Sequence, residues 1–96
     1  MIVSFSDDMT ESLFKLENTA KTRRFPADVR ERARRKLYVL AAATSLADLG
    51  NVPGNRHEAL VGDLAGFHSI RINDQWRVIF KWAGDNAREV RIADYH

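Results

Sequence analysis

Apolar residues in the first half of the chain recur at the spacing of amphipathic helices. Asp7 or Asp8 can cap a first helix, and Pro26 suits the start of a second one because its missing N–H costs nothing there. A polar and basic connection, residues 18–25, joins the two. The elements predicted in this half are a strand at Ile2–Phe5, a helix over residues 8–17, a helix from Pro26 to about Ala43, and one further turn at Ser45–Leu49.

The second half of the chain changes to the period of two that is typical of β-strands. Residues 50–55 are dense in turn formers and separate the halves, and Ala83–Asn86 has the composition of a hairpin turn. Helices followed by an antiparallel meander predict an α+β fold in one domain, residues 1–96, with two N-terminal helices packed on one face of a small, mainly antiparallel sheet. The predicted strands cover residues 57–61, 67–73, 75–82 and 88–93.

Alternation within these strands assigns the side chains to two faces of the sheet. The apolar set predicted to meet the helices comprises Ile70, Ile72, Trp76, Val78, Phe80, Val90 and Ile92. Unless a β-bulge changes the parity, the opposite face carries Arg71, Arg77, Lys81 and Arg91. Such cations could bind phosphate, since a guanidinium donates two parallel hydrogen bonds to phosphate oxygens. The alternative is ordinary pairing with acidic neighbours in a solvated sheet.

The amino-acid composition narrows the chemistry available to the chain. A hydrophobic fraction of 45% with 29% charged residues is ordinary for a globular domain, so disorder is not expected. The absence of cysteine excludes disulfides, thiolate metal sites and a cysteine nucleophile. No secretion signal or membrane span is recognisable, which predicts a cytoplasmic protein without a membrane partner.

The three histidines, His57, His68 and His96, do not have the spacing of metal ligands. Neither a metal ion nor a cofactor is therefore expected. His68 shares the parity of Ile70, and we expect it to be a hydrogen-bonded histidine at the edge of the core.

The formal net charge is only +2, but the basic residues are concentrated in one segment. Residues 21–36, called the basic patch below, contain eight basic residues against Asp28 and Glu31, so the patch carries +6 and the rest of the chain −4. It can attract polyanions, nucleic acid first, or an acidic protein, and it can equally be a solvated helix face.

The last three residues, Asp94-Tyr95-His96, place a carboxylate, a phenol and an imidazole together. An imidazole titrates near neutral pH and can act as a general acid or base. Polar residues are also common in tails without a function, so the triplet by itself indicates chemistry without establishing it.

Several motifs of the second half form a combination that is more specific than its parts. They are Pro53–Leu60, Gly62-Asp63, Gly66, Ser69–Phe80 with Asn73-Asp74-Gln75-Trp76-Arg77 inside it, and the terminal Asp94-Tyr95-His96. Together they closely resemble HigB-like toxins, also described as plasmid maintenance killer proteins, of the RelE/ParE superfamily. The first half agrees with that family mainly in its layout.

This resemblance implies a RelE/ParE-like fold and a ribonuclease that cuts messenger RNA during translation, in the ribosomal A site. A co-expressed antitoxin of the HigA type, a helix-turn-helix protein, would neutralise the toxin, and operator DNA would be bound only through that antitoxin. The implied reaction is metal-independent attack of a ribose 2′-hydroxyl on the adjacent phosphorus, leaving a 2′,3′-cyclic phosphate and a 5′-hydroxyl. Such an enzyme must orient the hydroxyl, neutralise charge on the phosphorane and protonate the leaving oxygen.

The resemblance also suggests roles for residues of the sheet. Arg77 matches the family's sheet arginine and is assigned to stabilising the phosphate and the transition state, with Arg71 as a second candidate. Trp76 has the parity of the core and is expected to pack there. Contacts to RNA or the ribosome are expected from Arg23, Arg24, Arg30, Arg34, Arg35, Lys81 and Arg91.

The C-terminal residues match the family's terminal pair. His96 would transfer a proton or contact the phosphate, and Tyr95 would stack on a base or transfer a proton. Asp94 would orient His96 or Arg77.

The chain departs from the family pattern at one place. Many relatives carry a basic residue immediately before the Gly-Asp turn, often with a histidine three positions earlier, whereas this chain has Val61 and Glu58 there. His57 is one position out of register and would face the opposite side of a regular strand. The sequence therefore does not identify the general base. Two other functions stay open: a non-catalytic ParE-like toxin acting on a protein such as DNA gyrase, and an interaction module that uses only the basic patch.

Overall fold

The structure, a computed structural model, describes residues 1–17, 20 and 22–94. Short 3₁₀ turns lie at Thr22–Arg24 and Gly62–Leu64. The regular elements are the helices α1 (Asp8–Phe14), α2 (Ala27–Ala42) and α3 (Leu46–Gly50), and the strands β1 (Glu58–Ala59), β2 (Phe67–Arg71), β3 (Trp76–Ala83) and β4 (Asn86–Asp94). The predicted α+β fold class is confirmed, and within the described residues no helix is long and apolar enough to cross a membrane.

The four strands form one antiparallel sheet in the order β1-β2-β3-β4. The predicted strand at Ile2–Phe5 instead forms two isolated parallel bridges to β4, at Ile2 and Phe5. The ladder is interrupted because β4 bulges at Glu89, which has a left-handed φ of 51°. The hydroxyl of Ser4 accepts a hydrogen bond from the Glu89 N–H at 2.9 Å, and that of Ser6 donates to the Glu89 carbonyl at 2.7 Å.

Helix α1 begins after Asp7, whose Oδ1 accepts a hydrogen bond from the Thr10 N–H at 2.7 Å. The sequence predicts that this helix continues to residue 17, but it ends at Phe14. It ends early because Leu16 adopts a left-handed backbone with φ 64°. The turn predicted at Ser45–Leu49 is α3, which begins with a reciprocal capping box between Ser45 and Asp48.

The core lies between α2 and one face of the sheet. Helix α2 contributes Val29, Ala33, Leu37 and Leu40, all buried. The apolar sheet face is the predicted one, with six buried members and Trp76 half-buried with its ring 5.0 Å from that of Phe25. Those six are Ile70, Ile72, Val78, Phe80, Val90 and Ile92. This packing leaves the other face of the sheet, called the open face below, free of helices α1 and α2.

Candidate active site

The open face carries a set of cations whose positions follow from the strand register. Arg71 lies directly opposite Arg77, and Arg91 lies directly opposite Ile79. Lys81 shares the same side of β3, two strand periods from Arg77. The register therefore places four cations on one face of the sheet, as the alternation of the sequence predicts: Arg71, Arg77, Lys81 and Arg91.

A fifth cation, Arg88, was not found from the sequence. Regular alternation would put it on the core face with Val90, but the bulge at Glu89 shifts the register so that Arg88 lies opposite Lys81. Ala87 takes the core position instead and is fully buried. The sequence signal for this shift is the spacing of three between Ala87 and Val90, where a regular strand has two.

Arg77 is only 6% exposed, which is unusual for an arginine on a sheet face. Its Nε donates a hydrogen bond to the hydroxyl of the fully buried Ser69 at 3.0 Å. Its Nη2 donates to the backbone carbonyl of Arg56 at 2.8 Å and lies 3.7 Å from Glu58 Oε1. These contacts from β1, β2 and the preceding loop fix the plane of the guanidinium.

The loop that orients Arg77 is anchored by Asn55, which is fully buried. The Asn55 side chain donates to the Leu49 carbonyl at 3.0 Å and accepts a hydrogen bond from Lys36 Nζ of α2. Its backbone carbonyl accepts from the Arg71 N–H at 2.6 Å. Burial, and to a lesser extent the positive charge of Arg71, holds the pKa of Lys36 below its usual value.

The other candidate residues lie near Arg77, at the end of the sheet where β2 ends and β3 begins. Arg71 pairs with the carboxylate of Asp74 in the turn before β3. Asp94 lies opposite Trp76, so its side chain leaves the sheet on the face opposite to Arg77, and its Oδ2 accepts a hydrogen bond from Gln75 at 3.1 Å. The predicted catalytic residues Tyr95 and His96 lie outside the described residues.

The histidine pair belongs to the other side of the sheet. His57 Nε2 and His68 Nδ1 are 3.0 Å apart, and the His68 ring stacks on Phe80 with centroids 5.8 Å apart. Burial, followed by the proximity of His57, lowers the pKa of His68. His68 is therefore the hydrogen-bonded core-edge histidine that the sequence predicts. No cluster of three or more metal-ligating side chains occurs in residues 1–17, 20 and 22–94.

Apart from Lys36, whose ammonium bonds to Asn55 of the loop beside Arg77, the described residues of the basic patch lie on the helical layer and not on the open face. Arg23 and Arg24 are exposed in the 3₁₀ turn before α2. Arg34 is half-buried, with its Nε donating to the Leu13 carbonyl at 3.1 Å, and Arg35 pairs with Glu31 at 3.2 Å. Since α2 turns its apolar residues to the sheet, Arg30, Arg34 and Arg35 are separated from Arg77 by the core.

The fold is that of RelE-like toxins. It is shared with YoeB in the YoeB–YefM complex from Staphylococcus aureus, at a TM-score of 0.61 and 14% identity over 100% of this chain and 98% of that chain. It is also shared with YafQ from E. coli strain BL21(DE3), at a TM-score of 0.64 and 14% identity over 98% of this chain and 93% of that chain. At this level of identity the likeness shows the fold alone.

Sequence comparison narrows this class to one family. The family model of the HigB-like toxin, described as the RelE-like toxin of type II toxin–antitoxin system HigB, matches residues 3–96. The chain is 40% identical to Toxin HigB-1 of Vibrio cholerae over 82 residues, which cover 85% of this chain and 84% of that relative. It is 29% identical to Endoribonuclease HigB of Proteus vulgaris over 96 residues, the full length of both. The chain therefore belongs to the HigB-like family of type II toxins, as the resemblance predicted.

Proposed function

We propose that this toxin is an endoribonuclease that cleaves messenger RNA on the ribosome, in the cytoplasm, and that a helix-turn-helix antitoxin of the HigA type neutralises it. Support comes from the family and from the name of the relative from Proteus vulgaris. The observation that carries the proposal is the environment of Arg77. Its buried guanidinium is held by Ser69, the Arg56 carbonyl and Glu58, and Arg71 and further cations lie on the same face. Such an arrangement can stabilise the negative charge of a phosphorane.

In the proposed reaction, the ribose 2′-oxygen forms a bond to the adjacent phosphorus and the bond from phosphorus to the 5′-oxygen breaks. The 2′-hydroxyl gives up its proton to a base, and the leaving 5′-oxygen takes one up. Arg77 donates hydrogen bonds to the phosphoryl oxygens as charge develops on them, and Arg71 adds a second cation. Because Ser69 and the Arg56 carbonyl hold the guanidinium beforehand, little reorganisation accompanies the reaction.

We assign the proton transfers to His96 and Tyr95. Asp94, the last described residue, ends β4 at the same end of the sheet as Arg71 and Arg77. Tyr95 and His96 follow Asp94 directly in the sequence. The side chain of Asp94 starts from the face opposite to Arg77, so we assign it no direct contact with the phosphate. Its role in this proposal is to lead the chain from β4 into Tyr95 and His96.

The two basic surfaces suit two different parts of a translating ribosome. Lys81, Arg88 and Arg91 continue the open face beyond Arg77 and would bind the phosphates of the message. The basic patch on the helical layer, through Arg23, Arg24, Arg30, Arg34 and Arg35, would contact ribosomal RNA. Because the core separates the two surfaces, both can be occupied together.

The test is cleavage of a defined message in a reconstituted translation system, followed by primer extension and analysis of the ends produced. We expect ribosome-dependent cuts with 2′,3′-cyclic phosphate and 5′-hydroxyl ends, lost in Arg77→Ala and retained in the matched surface variant Lys15→Ala. Loss of one oriented donor of this kind typically lowers a rate by roughly 10²- to 10³-fold. Intact message together with gyrase-linked DNA breaks would refute the proposal and favour a ParE-like action. Growth arrest that survives Arg77→Ala but not charge reversal of the basic patch would favour a binding module.

A further inference from the structure

Lys36 differs from the other described lysines because its ammonium is not paired with a carboxylate of the described residues. Lys15 pairs with Glu11 at 3.3 Å, and Lys81 pairs with Glu89 at 3.0 Å. Lys36 is half-buried, and its ammonium donates to the neutral side-chain oxygen of Asn55. Among the described residues no carboxylate forms an ion pair with Lys36, and burial followed by the positive charge of Arg71, which itself pairs with Asp74, lowers the pKa of Lys36.

The same two residues, Asn55 and Arg56, receive contacts from three cationic residues of different elements. Lys36 of α2 reaches the Asn55 side chain, and the backbone N–H of Arg71 of β2 reaches the Asn55 carbonyl. The guanidinium of Arg77 of β3 reaches the Arg56 carbonyl at 2.8 Å. Lys36 is thus joined to the site of Arg77 through one dipeptide.

A partly buried ammonium beside a like charge is unfavourable unless an anion compensates it. Asn55 takes one of the three ammonium donors of Lys36, and an amide oxygen brings no charge. The groups present therefore explain how Lys36 is held but leave its charge uncompensated.

We infer that Lys36 is a phosphate-binding residue of the active site, contributed by the helical layer, whose ammonium contacts a phosphate group next to Arg71. That this phosphate belongs to RNA rests on the function proposed above, whereas binding of the anion does not. Lys36 then serves as the cation that links α2 to the end of the sheet where Arg71 and Arg77 lie. Its contact with Asn55 holds the ammonium in position before the ligand arrives.

The first test uses the unmodified protein. The Lys36 side chain is titrated by NMR without ligand, with inorganic phosphate, and with a short DNA oligonucleotide, which has phosphodiesters but no 2′-hydroxyl to react. We expect both ligands to raise the pKa of Lys36, since a bound anion favours the charged form, and to leave Lys15 unchanged. A rise with inorganic phosphate alone identifies a site for the free anion, and a rise with both identifies one that accepts a nucleic-acid phosphate. No rise with either ligand would overturn the inference.

The second test compares the affinity for inorganic phosphate of Lys36→Met, Lys36→Arg and the control Lys15→Met. We expect a loss of about tenfold for Lys36→Met, less than about threefold for Lys36→Arg and none for Lys15→Met. A folded Lys36→Met with full affinity would refute the inference, and if that variant does not fold, the NMR titration of the unmodified protein decides. Phosphate binding through Lys36 without RNA cleavage would leave the site valid and refute the proposed function. RNA cleavage with unchanged phosphate binding in Lys36→Met would do the reverse.

Discussion

The hydrogen bond from Arg77 Nε to Ser69 provides a sharp test of how the active site is held. Both side chains are buried, so replacing Ser69 by alanine leaves a charged group with an N–H that water does not readily reach. Alanine differs from serine only by the hydroxyl, and the substitution adds no volume to the site. The change therefore isolates the loss of one acceptor.

The expected magnitude follows from the charge and burial of the donor. A hydrogen bond to a charged group contributes about 1.5–3 kcal/mol, and an unsatisfied buried donor adds to the loss. In a chain of 96 residues, a loss of about 2 kcal/mol lowers Tm by roughly 8–16 °C. A guanidinium that is free to shift by about 1 Å also costs up to roughly 100-fold in cleavage rate.

The control is Ser6→Ala, which removes a hydroxyl that donates to the Glu89 carbonyl at 2.7 Å on an exposed edge of the sheet. Water can replace that bond, so its loss is expected to stay below about 1 kcal/mol. Thermal unfolding and message cleavage are measured for both variants. Equal loss of stability in the two, or full cleavage activity in Ser69→Ala, would refute the view that Ser69 orients Arg77.

Three further substitutions probe other features of the structure. Glu58→Gln removes the half-exposed carboxylate 3.7 Å from Arg77, so phosphate should bind about two- to fivefold more tightly; weaker binding in a phosphate titration would contradict this competition. The pKa of His68 is held below its usual value by burial and by His57, so the free energy of unfolding should be greatest above pH about 6.5 and decrease as the pH falls toward the folded-state pKa. Urea titrations should show a flatter profile for His68→Gln, and an unchanged slope would rule out this source. Leu16→Gly relieves the left-handed φ of 64° at an exposed position and should raise stability by about 1 kcal/mol in thermal unfolding; a lower Tm would show that the Leu16 side chain contributes more than its strain costs.

The spacing of apolar residues predicted the helices, the strands and the two faces of the sheet. It could do so because the side chains of a helix or a strand return to the buried face at a fixed period. Ile70 and Val78 face the core and Arg71 and Arg77 face away from it because alternation holds where β2 and β3 are regular. It fails at Arg88, since β4 bulges at Glu89, where the hydroxyls of Ser4 and Ser6, more than eighty positions earlier in the chain, bond to the Glu89 backbone. The spacing of three between Ala87 and Val90 is a local signal of the shift in register, but local sequence does not predict the contacts with Ser4 and Ser6.

The candidate site was predictable in its residue types more than in their surroundings. The family motif singled out Arg77, but the groups that orient its guanidinium are a carbonyl of the loop before β1 and a serine of β2. In the sequence, Lys36 is only one more cation of the basic patch. Helical periodicity predicts the side of α2 from which its side chain projects, but not the loop residue that the side chain contacts. The connection of Lys36 to Asn55 is a tertiary contact between residues 19 positions apart.

The use of a main-chain carbonyl to hold Arg77 has a consequence for how this toxin tolerates sequence change. The acceptor at position 56 survives any side-chain substitution, so an alanine scan there would not reveal its importance. What the contact requires is backbone shape, since Arg56 adopts a left-handed φ of 44° that glycine or asparagine also accepts and proline does not. Single substitutions at this position other than proline are therefore expected to be mild. A one-residue insertion or deletion between α3 and β1 would displace the carbonyl and disable the toxin while leaving the identity of every active-site side chain intact.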